Sequence, residues 1–292
     1  MTFFEMQPLP TLDLQDGMFR AWWFDPFVAT LSFTIFITWY WHFERQYGLS
    51  SVSQIQVPTS FRLDSMPVYT GVAYWGSIYV WRILVPPAAA VLPDGIPSNA
   101  SQAAYLIAEV VTGIVAYDAI FFWIHWAMHA IPLLRHYVHK QHHDTSADGK
   151  LLECRDTLRH SFWDAASQVL VNIAVQRHTP WGAVKSRLAR ALHNVFVIWF
   201  LVESHTAAPV PYIWRRWFVG IREHRRHHLG PCEGESCFKM SSLLSSQSSC
   251  DHHHHYYYYG HNHRYQQFFG YLDDLRAFLI MQQQRRACQK QK

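Results

Sequence analysis

With 292 residues the chain is long enough to bury a sizeable core. Its 13 Trp, 15 Tyr and 19 Phe bring aromatics to 16%, and charged residues stop at 16% against about 25% in ordinary soluble domains, a skew that argues against a water-soluble globule and for a membrane. A net charge of +4 and a pI near 8.8 would suit nucleic acid, but the basic residues gather beside apolar segments rather than on one amphipathic stripe, so a membrane surface explains them better.

The first two dozen residues carry Glu5, Asp13 and Asp16 and no early basic cluster, unlike a cleavable signal peptide, so insertion is expected to rely on internal segments. The first apolar run, Phe27 to Trp41, is uncharged and edged by Trp22, Trp23, Trp39 and Trp41 as at a headgroup boundary, and reads as a bilayer crossing. A second, Val68 to Leu92, is long enough to span but holds Arg82 and the Pro86-Pro87 pair, which predict a kink or two half-segments. The third, Ala103 to Trp126, contains Glu109 and Asp118 and leads straight into a histidine pair. Acids inside such a helix mark it as functional.

Two later runs, Phe162 to Val175 and Ala191 to Val202, fall short of the roughly 20 apolar residues a straight crossing needs and read as re-entrant or interfacial. Arg177, Lys185, Arg187 and Arg190 between them favour the cytoplasmic side. Residues 233–263, with paired serines, four consecutive His and four consecutive Tyr, have no periodic apolar face. An amphipathic pattern resumes from Tyr265 to Leu279. Cys154, Cys232, Cys237, Cys250 and Cys288 are odd in number and irregular in spacing, so they read as reduced thiols.

The 20 histidines are the most informative feature. His125 and His129 form HxxxH; His139, His142 and His143 form HxxHH; His224, His227 and His228 form it again. On a helix, positions i, i+3 and i+4 share a face, so each triplet can aim three imidazoles at one point. About 0.1 such triplets are expected by chance at this histidine frequency, and two occur outside the His run. Imidazole suits iron, zinc and copper alike, and eight donors are too many for one ion, so two ions sharing a site is the economical reading. His252 to His255 are a homopolymer without fixed geometry and are left out.

The stretches His125-Trp-Ala-Met-His129, His139-Lys-Gln-His142-His143 and His224-Arg-Arg-His227-His228 resemble the three histidine boxes of the fatty acid hydroxylase/sterol desaturase superfamily. The resemblance adds a single histidine after the second box, matched by His160, and another before the third, matched by His205, giving ten candidate ligands. It runs from about Asp118 to His228 and resumes at Tyr265 to Asp274. Trp126 stands where many relatives carry Arg, and Ser161 replaces a frequent Pro. The connection between His228 and Tyr265 is longer than usual, as an exposed insertion or a gene-model error would make it.

Metal-bound imidazoles donate their other N–H to a carboxylate or carbonyl. Asp118, two turns before His125, is the preferred acid for this role; Asp144, Asp164 and Glu203 adjoin other ligands and are either further partners or solvent-facing charges. The expected fold is all-α: an integral membrane helical bundle with a cytoplasmic-side helical cap carrying the dimetal site. Its divisions are N-terminal membrane segments over 1–102, the histidine-box region over 103–232, a disordered low-complexity insertion over 233–263 and a closing segment over 264–292.

The resemblance implies a multi-pass protein of the endoplasmic reticulum membrane with two Fe ions facing the cytoplasm. It would use O2, and electrons from NAD(P)H through a cytochrome b5-type carrier, to hydroxylate a sterol, fatty acyl or sphingoid lipid. No fused carrier domain is evident, so a cytochrome b5/reductase-type partner is expected to dock, with Arg215, Arg216, Arg222, Arg225 and Arg226 facing it or membrane phosphates. Desaturation within the same superfamily stays open. From other classes, a membrane metal transporter or sensor would line a spanning path with polar residues rather than gather triplets, and an inactive relative would retain the fold without turnover.

Overall fold

The computed structural model describes residues 23–46, 66–85, 95–143, 153–177, 184–206, 224, 227, 228, 268, 269 and 271–290. Every regular element among them is helical, as the sequence predicts: α1 Phe24–Gln46, α2 Met66–Leu84, α3 Ala100–Ala130, a short turn α4 Pro132–Leu134, a π-helical turn Arg135–His139, α5 Lys140–His143, a 3-10 turn Cys154–Leu158, α6 Phe162–Arg177, α7 Arg187–His205 and α8 Tyr271–Lys290. The insertion at 233–263, Asp144 and the arginines 215–226 lie outside the described residues.

Helix boundaries follow local chemistry. α2 ends at Leu84, just ahead of Pro86-Pro87, because a proline disfavours helical backbone in the residue before it. α3 starts where the Asn99 side chain accepts from the Gln102 N–H at 2.9 Å, satisfying one of the orphan donors of the first turn. It stops at extended Ile131, where Pro132 starts the next turn. The 3-10 turn is closed by a reciprocal capping box between Glu153 and Asp156.

Helix α7 is the hub. It packs on α1, α3 and the 3-10 turn, while α2 lies on α6. Leu106, Val110, Ile114, Tyr117 and Phe121 of α3 meet Val171 and Val175 of α6 and Val197, Phe200 and Leu201 of α7 in one buried cluster. A second cluster joins Ala29 and Tyr40 of α1 to Cys154, Ile198 and Val202. The run Ala191 to Val202 therefore forms part of a packed central helix, which is why it needs no full membrane length.

By length and apolar composition, one described helix, Ala100–Ala130, is able to cross a membrane. α1 is less apolar than this helix, yet it exposes Phe27, Leu31, Ile35 and Trp39 at helical spacing, and α2 exposes Val72, Tyr79, Val80 and Ile83. Apolar stripes of this kind mark contact with lipid or another protein.

The acids of α3 are internal anchors. Glu109 is fully buried and accepts from the Ser186 N–H at 3.4 Å and hydroxyl at 3.3 Å. One turn along, Gly113 leaves room for Lys185: a Cβ there would collide with its Nζ. The Lys185 ammonium reaches His193 Nδ1 at 3.3 Å, so His193 carries its proton on Nε2 and donates it to Asn172 at 2.8 Å. Asn172, Asn194 and Gln176 complete a buried polar cross-link between α6 and α7.

Asp118 clamps the C-terminal segment. Its two oxygens accept the backbone N–H groups of Phe268 at 3.0 Å and Phe269 at 3.2 Å, and the fully buried Phe268 ring stacks on Tyr117 at 5.8 Å. A hydrogen bond to a charged acceptor contributes about 1.5–3 kcal/mol. Asp118→Ala is therefore expected to cost about 2–4 kcal/mol, lowering the thermal midpoint in detergent and exposing the chain near residue 268 to protease; an unchanged midpoint would contradict the clamp.

Candidate metal centre

The first histidine pair sits at the end of α3, so His125 and His129 leave one face of a continuous helix toward the second box. That box begins on the π-helical turn, whose extra residue re-phases the chain and turns His139 inward with His142 and His143. His205 is the last residue of α7, and His224, His227 and His228 lie on helical backbone. Side chains far apart in sequence meet here.

They meet as two sets. His125, His129, His139, His143 and His227 bring one nitrogen each within 4.8 Å of one another, and His142, His205, His224 and His228 do the same. In the first, Nε2 atoms are separated by 3.0 Å (His125 and His139), 3.3 Å (His125 and His129), 3.0 Å (His139 and His143) and 2.9 Å (His129 and His227). In the second, His142 and His205 are 3.4 Å apart and His224 and His228 3.1 Å.

These spacings fit metal ions. Nitrogens bound at about 2.1 Å to one ion lie about 3.0 Å apart across a right angle and about 3.4 Å across a tetrahedral angle. Hydrogen bonding among the rings is a poor substitute. His139 Nδ1 lies 3.0 Å from Asp164 Oδ2 and carries the proton there, so its Nε2 offers a single lone pair to two neighbours at once. A cation facing the lone pairs satisfies all of them together. His224 Nδ1 and His228 Nδ1, both buried, find no hydrogen-bond partner among the described residues.

Other Nδ1 atoms are held from outside. His142 donates to the Arg159 carbonyl at 3.1 Å and His205 to the Leu201 carbonyl at 2.7 Å. Such contacts fix the tautomer and point Nε2 at the centre. Burial, reinforced by neighbouring imidazoles, holds His142, His143, His224, His227 and His228 well below the usual histidine range, so they stay neutral donors.

His160 joins neither set. It stacks on His142 with ring centroids 4.2 Å apart and forms a buried group with His142 and Asp164. Asp164 Oδ2 lies 3.2 Å from His160 Nδ1 as well as 3.0 Å from His139 Nδ1. Burial alone would raise this carboxyl, but the imidazoles of His160 and His139 outweigh it and hold Asp164 well below the usual carboxylate range. Gln168, one turn along α6, donates to Asp164 at 3.2 Å, and Ser161 donates to the Val138 carbonyl at 2.6 Å while accepting the Asp164 N–H at 3.1 Å. Ser161 thus replaces proline with a bridge between α6 and the second box.

Among the remaining acids, the role expected of Asp118 is corrected. Seven residues of helix put it about 10.5 Å from His125 along the axis, and its oxygens face Phe268 and Phe269 instead. Glu203 is buried two residues from His205, yet neither of its oxygens hydrogen-bonds an imidazole. Glu44 is the acid sequence reading missed: fully buried on α1, it accepts from the Cys154 N–H at 2.9 Å and the Thr206 hydroxyl at 2.8 Å, bracing the chain on either side of the site.

An apolar cavity of about 360 Å³ opens beside the centre. Ala29, Phe33, Val169, Val197, Ile198 and Leu201 supply its walls, and Thr157, Leu158 and His160 its inner end.

Residues 110–238, which contain all ten histidines, match the model of the fatty acid hydroxylase family. Over this stretch the chain is similar to the fatty acid hydroxylase family. The chain is 28% identical over 144 residues to cholesterol 25-hydroxylase of Mus musculus and 26% identical over 144 residues to that of Rattus norvegicus. Each alignment covers 47% of this chain and 45% of the relative, so the chain spans about half the length of the curated relatives it matches. No solved structure matches.

Asp164→Ala releases two imidazoles at once and is expected to weaken metal retention about 10–100-fold, read as metal per chain after dialysis against graded chelator. Full retention would show that the acid does not orient these rings.

Proposed function

We propose that the chain is a membrane-bound lipid oxygenase whose histidines hold two iron ions. The observation that carries the reading is the pair of imidazole sets, spaced as metal ligands, next to an apolar cavity whose lining includes His160, stacked on His142. Bound iron would supply the activation of O2 and the oxidation of an unactivated C–H bond. His125, His129, His139, His143 and His227 would hold one ion and His142, His205, His224 and His228 the other, with Asp164 and the Arg159 and Leu201 carbonyls fixing ring orientation.

The chain's own contribution is placement. α1, α6 and α7 enclose the lipid in the apolar cavity and keep water from it, and His160 borders both the cavity and His142. The substrate is a lipid of sterol, fatty acyl or sphingoid type, and the names of the relatives favour a sterol. Helix α3 and the exposed apolar stripes of α1 and α2 support residence in a membrane, which we assign to the endoplasmic reticulum with the metal side toward the cytoplasm. Electrons would come from NAD(P)H through a cytochrome b5-type partner. A metal transporter fits less well, because the imidazoles gather at one place rather than along a path.

Membranes from cells expressing the chain, incubated with 18O2 and analysed by lipid mass spectrometry, are expected to yield a product carrying one 18O atom. Loss of two hydrogens without label would instead identify a desaturase. His142→Ala and His227→Ala, one from each set, are each expected to reduce product at least about 100-fold at equal protein level, and turnover retained in both would refute the site.

A further inference from the structure

Four helices agree on a direction leading away from the histidines. On α7, His205 is followed backwards by Leu201, Ile198 and Val197 on the apolar cavity, then by Asn194 and Arg190 on a second, smaller pocket. On α6 the order runs from Asp164 through Gln168 and Val169 to Asn172, then Gln176 and Arg177. α2 passes from Gly71 and Trp75 to Ile78 and Trp81, and α1 from Ile37 and Phe33 back to Asp25. Tyr74 and Asn172 line both pockets, so the two are neighbours along one axis. The second pocket holds about 30 Å³, room for one or two heavy atoms rather than a bulky head group.

This far pocket differs in chemistry. Trp81 Nε1 and Arg190 Nε are buried and find no hydrogen-bond partner among the described residues, although Arg190 also pairs with Asp25 at 3.4 Å. A buried donor without an acceptor costs about 1–3 kcal/mol, which an oxygen placed between them would recover. Asp25 Oδ1, an acceptor, lines the same pocket beside these two donors, so the missing group is one that both accepts and donates, as a hydroxyl does. By helix rise, Asn194 and Arg190 lie about 17 and 22 Å from His205.

Resting on the lipid-oxygenase reading, we propose that Trp81 and Arg190, with Asp25 beside them, are specificity-determining residues that bind a small hydroxyl head at the end of the lipid remote from the metals. The lipid is then read from its head, and its far end meets the histidines. Oxidation falls on carbons about 17–22 Å from that oxygen, and phosphodiester lipids are excluded by the size of the pocket.

The test measures binding of radiolabelled lipids to the purified full chain in detergent. Cholesterol is compared with cholest-5-ene, which lacks the hydroxyl, and hexadecan-1-ol and hexadecanoate with hexadecane; 1-palmitoyl-lysophosphatidylcholine probes a bulky head. In at least one series the hydroxyl-headed lipid is expected to bind about 10-fold tighter than its hydrocarbon, hexadecanoate is expected to bind less tightly than hexadecan-1-ol because it would meet the Asp25 carboxylate, and the lysophospholipid is expected to bind no better than hexadecane. Trp81→Phe and Arg190→Lys should each cut that preference about 3–10-fold while leaving hydrocarbon binding unchanged, which a merely misfolded variant would not do. Equal binding of headed and headless lipids, a preference unaltered in both variants, tight lysophospholipid binding, or no lipid bound at all would overturn the proposal. Because the readout is a binding ratio, loss of turnover or metal in the histidine variants would count against the oxygenase reading alone.

Discussion

Nine imidazoles crowded into a dry interior can lie together only if they are neutral and something satisfies the lone pairs they turn on one another. Five nitrogens of one set, and four of the other, converge to spacings that metal coordination produces and that ring-to-ring hydrogen bonding does not satisfy. The rest of the structure serves this convergence. Neutral rings cost little to bury, whereas one protonated ring among them would meet both desolvation and its neighbours' repulsion.

The surrounding fold works as a brace. α7 ends on a ligand candidate and carries the core along its length, so the position of His205 is set by packing against α1 and α3. Asp164 serves two rings from α6, and Glu44 reaches from α1 to the backbone of Cys154 and the hydroxyl of Thr206. Asp118 and Glu109, both inside α3, spend their charge on distant backbone and on the loop before α7. Asp118 has both oxygens matched by backbone N–H groups and Glu109 is matched through Oε2, as a low dielectric favours.

The histidine boxes were legible because metal ligation imposes a spacing, and a helix converts spacing into direction. His205 was legible through family resemblance alone. His160 was as well, and it stands with His142 and Asp164 in a third buried group of possible ligands. Proximity in sequence misled for Asp118, since sharing a helical face does not shorten two turns of rise, and it succeeded for Asp164, whose i+4 relation to His160 lets one carboxylate reach two rings. Glu44, Gln168 and the Lys185, His193 and Asn172 cross-link left no local pattern, because their partners are set by how helices dock. The cavity is likewise a property of five helices together and of no single segment.

Metal analysis of the purified full chain tests the central claim most directly. Two ions per chain, in an all-nitrogen environment by X-ray absorption, are what two convergent imidazole sets predict. A chain that is folded and lipid-binding yet holds no metal, or a single ion only, would contradict it.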